Sequence, residues 1–221
     1  MAKEVKKENE AVVNAVSRIE QFFDTNKKLI WGIILAIVVI AGGSYLYYKF
    51  AYLPKKAEAQ QQMYKAEAAF RDGNYELALN GDGNILGFKD IISDYGNKAG
   101  KAVYLYAAIC EMQNSNFDEV LSYLAKYSTK DQILAGRAKA LKGDVYCAKE
   151  DYAKAASCFE DAAKTSDDSF SAAYLLKAGQ AYEALGKNGR ALELYKEIKD
   201  KYAKSIEAYD IDKYITRLEV K

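Results

Sequence analysis

The sequence of 221 residues contains no histidine, one proline and three cysteines. Without histidine, the chain lacks the side chain that most often serves as a general base and as a metal ligand near neutral pH. The cysteines, Cys110, Cys147 and Cys158, are odd in number and have no CxxC spacing, which argues against a disulfide framework or a zinc site. The composition therefore predicts a chain that holds no metal and no cofactor.

The chain also lacks an excess of charge of either sign. The 32 Lys and Arg residues are balanced by 31 Asp and Glu residues, which gives a net charge of +1. Nucleic-acid-binding domains concentrate basic residues on one face, so this balance argues against a nucleic-acid partner. The only proline is Pro54, and the residues after it are rich in Ala, Lys, Glu, Leu and Tyr. That composition is typical of an all-α fold.

One apolar run, residues 29–48 (LIWGIILAIVVIAGGSYLYY), carries no charge over 20 residues. An α-helix of that length rises about 30 Å, which is the thickness of the hydrocarbon core of a bilayer. Lys27 and Lys28 precede the run, and Trp31 and the tyrosines near the other end suit the headgroup region. The run is longer than the apolar part of a signal peptide. We therefore predict an uncleaved transmembrane helix rather than a leader or a buried core helix.

A charged tail, residues 1–28, precedes the apolar run. Val12, Val16, Ile19 and Phe23 recur at spacings of 4, 3 and 4, which places them on one face of a helix. An amphipathic helix of this kind could lie along the lipid headgroups, form a short coiled-coil contact with a partner, or be a marginally stable helix with no role. We favour the first two alternatives, and both stay open. Six basic residues in the tail against four after the run favour a cytoplasmic tail only slightly.

The residues after the apolar run contain a repeated pattern of small and aromatic residues. Gly143 is followed by Phe159, and the same combination recurs 36 residues further on as Gly179 and Tyr195. A weaker copy starts at Ala108. Small residues allow paired helices to approach closely, so we predict that both glycines are packing residues rather than site residues. The pattern resembles the tetratricopeptide repeat, a pair of helices joined by a turn.

The first copy of the repeat is interrupted by a turn-rich insertion at residues 80–84. Its alternating Asn and Asp residues suggest a calcium loop, but Ile85 and Ile91 stand where such a loop needs a glycine and a bidentate glutamate. We therefore expect an ordinary loop. Stacked helix pairs are predicted at about residues 57–95, 99–127, 133–164 and 171–203. A cap helix over 205–221 presents Ile211, Ile215 and Leu218 on one face.

The amphipathic tail, the single span and the repeat domain look, together with the segments FKDIISDYGNKAG and IDKYITRLE, like a Bacteroidetes-type relative of the YfgM-like proteins. Those proteins are ancillary subunits of the bacterial Sec translocon. The resemblance implies a cytoplasmic tail at 1–28, a transmembrane helix at 29–48, a linker at 49–56 and a periplasmic tetratricopeptide domain at 57–221. It also implies a single-pass protein of the inner membrane that contacts the translocon, periplasmic chaperones or client segments.

The function class that the sequence favours is a protein-binding module, an all-α solenoid on a membrane anchor. No phosphate-binding loop, G-x-S-x-G motif or metal-ligand cluster indicates an enzyme. Stacked helix pairs form a concave surface lined by the first helix of each pair, although some of the residues at these positions are expected to be core. By spacing from the small residues of the repeats, the predicted lining comprises Met63, Glu67, Phe70, Leu105, Ile109, Met112, Arg137, Asp144, Leu176, Gln180 and Glu183.

Within that lining, Leu105, Ile109 and Met112 lie four and three residues apart and so share one helix face. We predict that this apolar strip contacts a partner, because exposed apolar patches usually mark interaction sites. The alternative is that the inserted loop folds over the strip and buries it. A second function is also open, in which the chain is an envelope scaffold whose groove binds another copy of itself.

Overall fold

The computed structural model describes residues 2–166 and 169–220, and of residues 2–16, 19, 20 and 169 it describes the backbone alone. The described residues form helices and no strands, which confirms the all-α prediction. The helices are α1 (Ala2–Tyr47), α2 (Leu53–Arg71), α3 (Tyr75–Asn80), α4 (Phe88–Tyr95), α5 (Ala102–Gln113), α6 (Phe117–Lys126), α7 (Gln132–Ala148), α8 (Tyr152–Ser166), α9 (Ser169–Ala184), α10 (Asn188–Lys201) and α11 (Ile206–Glu219). A π-helical turn spans Tyr48–Tyr52 and a 3₁₀ turn spans Gly96–Ala99.

The chain divides into two compact units, Met1–Lys55 and Lys56–Lys221. In the first unit, α1 contains the apolar run, and this is the one helical stretch of the described chain that is long and apolar enough to cross a membrane. None of this apolar segment is buried within the structure. The side chains of Val12, Val16 and Ile19, on which the amphipathic tail was predicted, lie outside the described residues.

Aromatic and basic side chains cluster where the apolar run ends. Lys49 places its ammonium 6.0 Å from the ring centre of Tyr45 and 5.7 Å from that of Phe50. The rings of Tyr48 and Tyr52 stack with their centres 5.5 Å apart. Rings and long basic side chains of this kind prefer the boundary between the hydrocarbon core and the headgroups, so the cluster marks one end of the candidate span.

The second unit is built from helices joined by one recurring three-residue turn. The turns follow α2, α5, α7 and α9, and their middle residues are Gly73, Ser115, Glu150 and Gly186, all with positive φ between 58° and 77°. The third residue of each turn donates its N–H to the carbonyl five residues earlier, as in a Schellman motif. These bonds are Asn74 to Ala69 (2.9 Å), Asn116 to Glu111 (3.0 Å), Asp151 to Tyr146 (2.9 Å) and Lys187 to Tyr182 (2.9 Å).

Each of the four turns connects the two helices of one pair, and the spacing between the turns shows that the first pair is longer than the others. The middle residues stand 35 and 36 residues apart from Ser115 to Gly186, but Gly73 stands 42 residues before Ser115. The six additional residues belong to the loop between α3 and α4. There the Asp82 carboxylate accepts the N–H groups of Asn84 and Ile85, both at 2.9 Å, which lowers the pKa of Asp82. Asp82 thus caps an ordinary turn.

Gly143 and Gly179 pack against the aromatic residues with which they were paired in the sequence. A Cβ atom added to Gly143 would lie 2.6 Å from Cε1 of Phe159, and one added to Gly179 would overlap the ring of Tyr195. Both glycines and both rings are buried. The two contacts join the first and second helices of consecutive pairs at the same point, α7 to α8 and α9 to α10.

The hydrophobic core of this unit consists of two clusters. One contains side chains from α2 to α7, among them Leu79, Phe88 and Val120, and the other contains side chains from α7 to α11, among them Phe159 and Tyr195. Helix α7 contributes to both, because Val145 belongs to the first cluster and Ala140 to the second. It therefore joins the two halves of the second unit.

Helix α11 covers the end of the second cluster, as predicted. Ile211 and Ile215 are buried, and Leu218 packs beside them. Ion pairs join α11 to both preceding helices: Lys196 to Glu219 at 2.7 Å, Lys199 to Asp212 at 2.8 Å and Arg217 to Glu183 at 2.7 Å.

Candidate functional site

A groove of about 390 Å³ lies between α5, α7 and α9. These three helices are the first members of successive pairs, and every side chain that lines the groove belongs to one of them. The lining residues are Leu105 and Ile109 from α5; Ile133, Arg137, Ala140, Leu141 and Asp144 from α7; and Phe170, Tyr174 and Lys177 from α9. Most of them are apolar.

The rim of the groove exposes large apolar side chains. Ile133 is 46% exposed and Phe170 is 56% exposed. Leu105, by contrast, is buried at the base of the groove, and Ile109 is half-buried. An apolar segment that enters the groove would remove the rim side chains from water, which is the main favourable term in protein association.

Of the three charged side chains that line the groove, two form an ion pair with each other. Nζ of Lys177 on α9 donates to Oδ1 of Asp144 on α7 at 2.7 Å, and this ion pair closes one end of the groove. Arg137 is exposed and forms no ion pair with any residue that the structure describes. Among the described residues, the groove thus carries one positive charge that lacks an ion-pair partner, and it lies among apolar side chains.

Four of the predicted lining residues line this groove: Leu105, Ile109, Arg137 and Asp144. The apolar strip on α5 is not uniformly exposed, because Leu105 is buried and Met112 packs against the first core cluster. An exposed position for the whole strip was therefore a wrong expectation.

Other predicted lining residues make contacts within the chain. Met63 is buried, and Phe70 lies in an aromatic cluster, with its ring centre 5.0 Å from that of Tyr106. Glu183 accepts a hydrogen bond from the Tyr195 hydroxyl at 2.6 Å and pairs with Arg217. Met63, Phe70 and Glu183 thus belong to the part of the predicted lining that was expected to be core, since core packing and the cap helix occupy their side chains.

The three remaining predicted residues lie away from the groove. Glu67 is half-buried, and burial raises its pKa above the usual value. Leu176 packs against the second core cluster, and Gln180 is exposed on α9. None of the three lines the groove between α5, α7 and α9.

Sequence reasoning missed the six other side chains that complete the groove: Ile133, Ala140, Leu141, Phe170, Tyr174 and Lys177. A periodic signal for the three on α9 was present, because Phe170, Tyr174 and Lys177 follow the spacing of one helix face. That face of α9 turns towards α7, whereas transferring positions by the repeat length had selected the neighbouring face with Leu176 and Gln180.

The three thiols have environments that disfavour the thiolate. Burial raises the pKa of Cys110 to about 12, and burial also raises the pKa of Cys147 and Cys158. Reactive cysteines require the opposite shift. In the part of the chain that the structure describes, no group of three or more Cys, Asp or Glu side chains is arranged to hold a metal ion.

No family model matches the chain, and no curated protein matches it.

Proposed function

We propose that the chain is a membrane-anchored interaction module that binds apolar segments of other proteins in the groove between α5, α7 and α9. The observation that carries the proposal is the composition of the groove. Exposed Ile133 and Phe170 stand at its rim, and only first helices of successive pairs line it. Its volume of about 390 Å³ lies within the range of about 300–1,000 Å³ common for binding pockets.

The helix pairs are best interpreted as tetratricopeptide repeats. Three observations support this proposal: the recurring turn at intervals of 35 and 36 residues, the glycine–aromatic contacts of Gly143 and Gly179, and the ion pairs that join α7 to α9 and α9 to the cap helix α11. Those pairs, Asp144 to Lys177 and Glu183 to Arg217, are separated by 33 and 34 residues, close to one repeat. Repeats stacked in this way present an extended concave surface.

The proposed module has no catalytic role. Histidine is absent from the whole chain, and burial raises the pKa of all three thiols. The groove offers apolar contact and one ion pair, which suit recognition of a segment rather than proton transfer or nucleophilic attack.

We further propose that the protein is a YfgM-like subunit of the bacterial inner membrane, with a cytoplasmic N-terminus, a periplasmic repeat domain, and the translocon, chaperones or clients as partners. The supporting observations are the single candidate span and the tail before it, which carries six basic residues against four on the other flank. Positive residues are retained in the cytoplasm.

This topology predicts the behaviour of reporter fusions. An alkaline phosphatase fused after Lys221 should be active because it folds only outside the cytoplasm, and a green fluorescent protein fused there should be dark. Fusions placed before Met1 supply the control and should give the opposite pattern. An inactive alkaline phosphatase and a bright fluorescent protein at the C-terminus would contradict both the topology and the translocon proposal.

Binding in the groove is tested by a charge placed at its rim. Ile133→Glu should leave the free energy of unfolding within about 0.5 kcal/mol, as exposed substitutions usually do, while cross-linking to partner proteins in membranes is lost. Ser157→Glu, exposed on the second helix α8, is the matched control and should keep its cross-links. Unchanged cross-linking of the Ile133 variant would exclude the groove as the binding site.

Self-association is a second candidate function, favoured by the outer face of α11. Ile206 and Tyr209 are 90% and 91% exposed there, and they lie three residues apart on one helix face. The molar mass of the second unit in solution, measured by light scattering, distinguishes the self-associating scaffold from the interaction module. A stable oligomer that dissociates on Tyr209→Glu would favour the scaffold, and a monomer would favour the interaction module.

A further inference from the structure

We infer that the segment bound in the groove carries a carboxylate side chain among its apolar residues, and that Arg137 selects it. The inference rests on the proposed function of the groove and adds the chemistry of its occupant. It concerns a carboxylate within a peptide chain, because Arg137 lies in the middle of the lined face of α7 rather than at the end of the groove.

Arg137 is surrounded by apolar side chains along its own helix. Ile133 lies four residues before it and Leu141 four residues after it, so the three share one face of α7. A bound apolar segment would therefore cover the stem of Arg137 and partly remove its guanidinium from water. A positive charge that loses water without gaining a partner costs free energy, and that cost disfavours a wholly apolar ligand.

The other charges in the groove do not compensate Arg137. Asp144 lies seven residues further along α7, which is roughly 10 Å along the helix axis. Its carboxylate is already paired with Lys177 at 2.7 Å, so those two side chains neutralise each other. A separation of roughly 10 Å is also about one Debye length at 0.1 M salt. The net positive charge of the groove is therefore located at Arg137.

A carboxylate is the ligand group that matches this charge best. The guanidinium presents paired N–H donors in a plane, which is the geometry that a carboxylate accepts in a bidentate manner. One Glu or Asp flanked by aliphatic or aromatic residues would contact Arg137 and, on either side, Ile133 and Leu141. Among peptides of equal apolar content, the groove should thus prefer those with one acidic residue.

The experiment uses the full chain in detergent micelles and an array of ten-residue peptides with both ends capped. The peptides are synthesised in pairs that share randomised apolar residues and differ only in one Glu or Gln. We expect the Glu member of a bound pair to bind about tenfold more tightly than the Gln member, because a charge-assisted hydrogen bond replaces a neutral one. The ratio should fall as the salt concentration rises.

Arg137→Gln should reduce the ratio to about one, because the variant loses the charge that pairs with Glu and no longer desolvates an unpaired guanidinium when it binds the Gln member. Lys139→Gln is the matched control, since it removes a positive charge from the same helix outside this groove, where Lys139 donates to Thr165 at 2.8 Å. That control should preserve the ratio. Circular dichroism of both variants establishes that they are folded.

The outcomes separate the inference from the proposed function. Equal binding of the Glu and Gln members by the unmodified chain would overturn the inference and leave the groove a binding site for apolar segments. A Glu preference that persists in Arg137→Gln would overturn the inference as well. If no peptide binds, or if the chain self-associates and Ile133→Glu dissolves the oligomer, the occupant is not a free segment and the proposed function fails with the inference.

Discussion

Replacing Gly143 with leucine should lower the free energy of unfolding of the repeat unit by about 2–3 kcal/mol, because overpacking a closely packed core forces rings and backbone to move. A single Cβ atom at this position would already lie 2.6 Å from Cε1 of Phe159 and 2.9 Å from its Cζ. Gly179→Leu should have a similar effect through Tyr195, whose hydroxyl is held by Glu183 at 2.6 Å and cannot easily withdraw.

The matched control for these variants is Gly189→Leu in α10. This glycine is also helical, and no atom lies within 4 Å of the place that its Cβ would occupy. Leucine has the higher helix propensity, so the control should be stabilised by up to about 1 kcal/mol. Chemical denaturation of residues 56–221 reports all three values. An unchanged midpoint for Gly143→Leu would show that the helix pairs are packed in another register.

The second large effect concerns Glu111, a carboxylate that is fully buried. It forms an ion pair with Lys89 of α4 at 2.8 Å and accepts a hydrogen bond from the side-chain amide of Asn116 at 2.6 Å. It thereby ties α4, which follows the inserted loop, to the turn between α5 and α6. The equivalent residues of the later helix pairs are Tyr146 and Tyr182, so Glu111 departs from the repeated pattern.

Lys89→Ala would leave the buried carboxylate without its cation. Breaking a buried pair in this way typically costs about 3–5 kcal/mol. Because the Lys89 side chain is 42% exposed and solvent screens its charge, we expect a loss of about 2 kcal/mol in the free energy of unfolding. Lys149→Ala is the control, because its partner Asp118 is largely exposed. It should change the stability by less than about 0.5 kcal/mol.

The pH dependence of this pair has a defined sign. The hydrogen bond to Glu111, with the charge of Glu111 adding to it, raises the pKa of Lys89 above its ordinary value of 10.5. A raised pKa in the folded state contributes stability that is fully present below the unfolded pKa and is lost as the pH rises through the folded pKa. The difference in free energy of unfolding between the unmodified second unit and its Lys89→Ala variant should be constant from pH 7 to 9 and shrink above pH 10.5. A difference that grows there would contradict the pairing.

The sequence predicted those parts of the fold that depend on local pattern. The apolar run follows from its length and its lack of charge. The glycine–aromatic spacing of Gly143 and Gly179 follows from its recurrence in the sequence, and the inner face of α11 with Ile211 and Ile215 follows from the periodicity of a helix. The six-residue shift before Ser115 was also visible, because the inserted residues are rich in Asn, Asp and Gly.

The groove was predicted only in part, since it depends on the angles between helices. Adding the repeat length to a residue number locates the equivalent position on the next first helix. Two neighbouring helices, however, contribute different faces to the space between them. The repeat spacing found Leu105 and Ile109 on α5 and Arg137 and Asp144 on α7. It missed Phe170 and Tyr174, which project from the side of α9 that faces α7. The aromatic character of Phe70 suits a core as well as a surface, and only the contact with Tyr106 distinguishes the two.

Site-specific photo-cross-linking in intact membranes tests the central claim, that this groove binds other proteins. A photoreactive amino acid is placed at Ile133 or Phe170 on the rim, and at Ser157 or Asp200 on the exposed surface of the second helices α8 and α10. We predict a discrete adduct with another protein from both rim positions and none from the control positions. Adducts that form equally at all four positions, or only at Ser157 and Asp200, would contradict the claim.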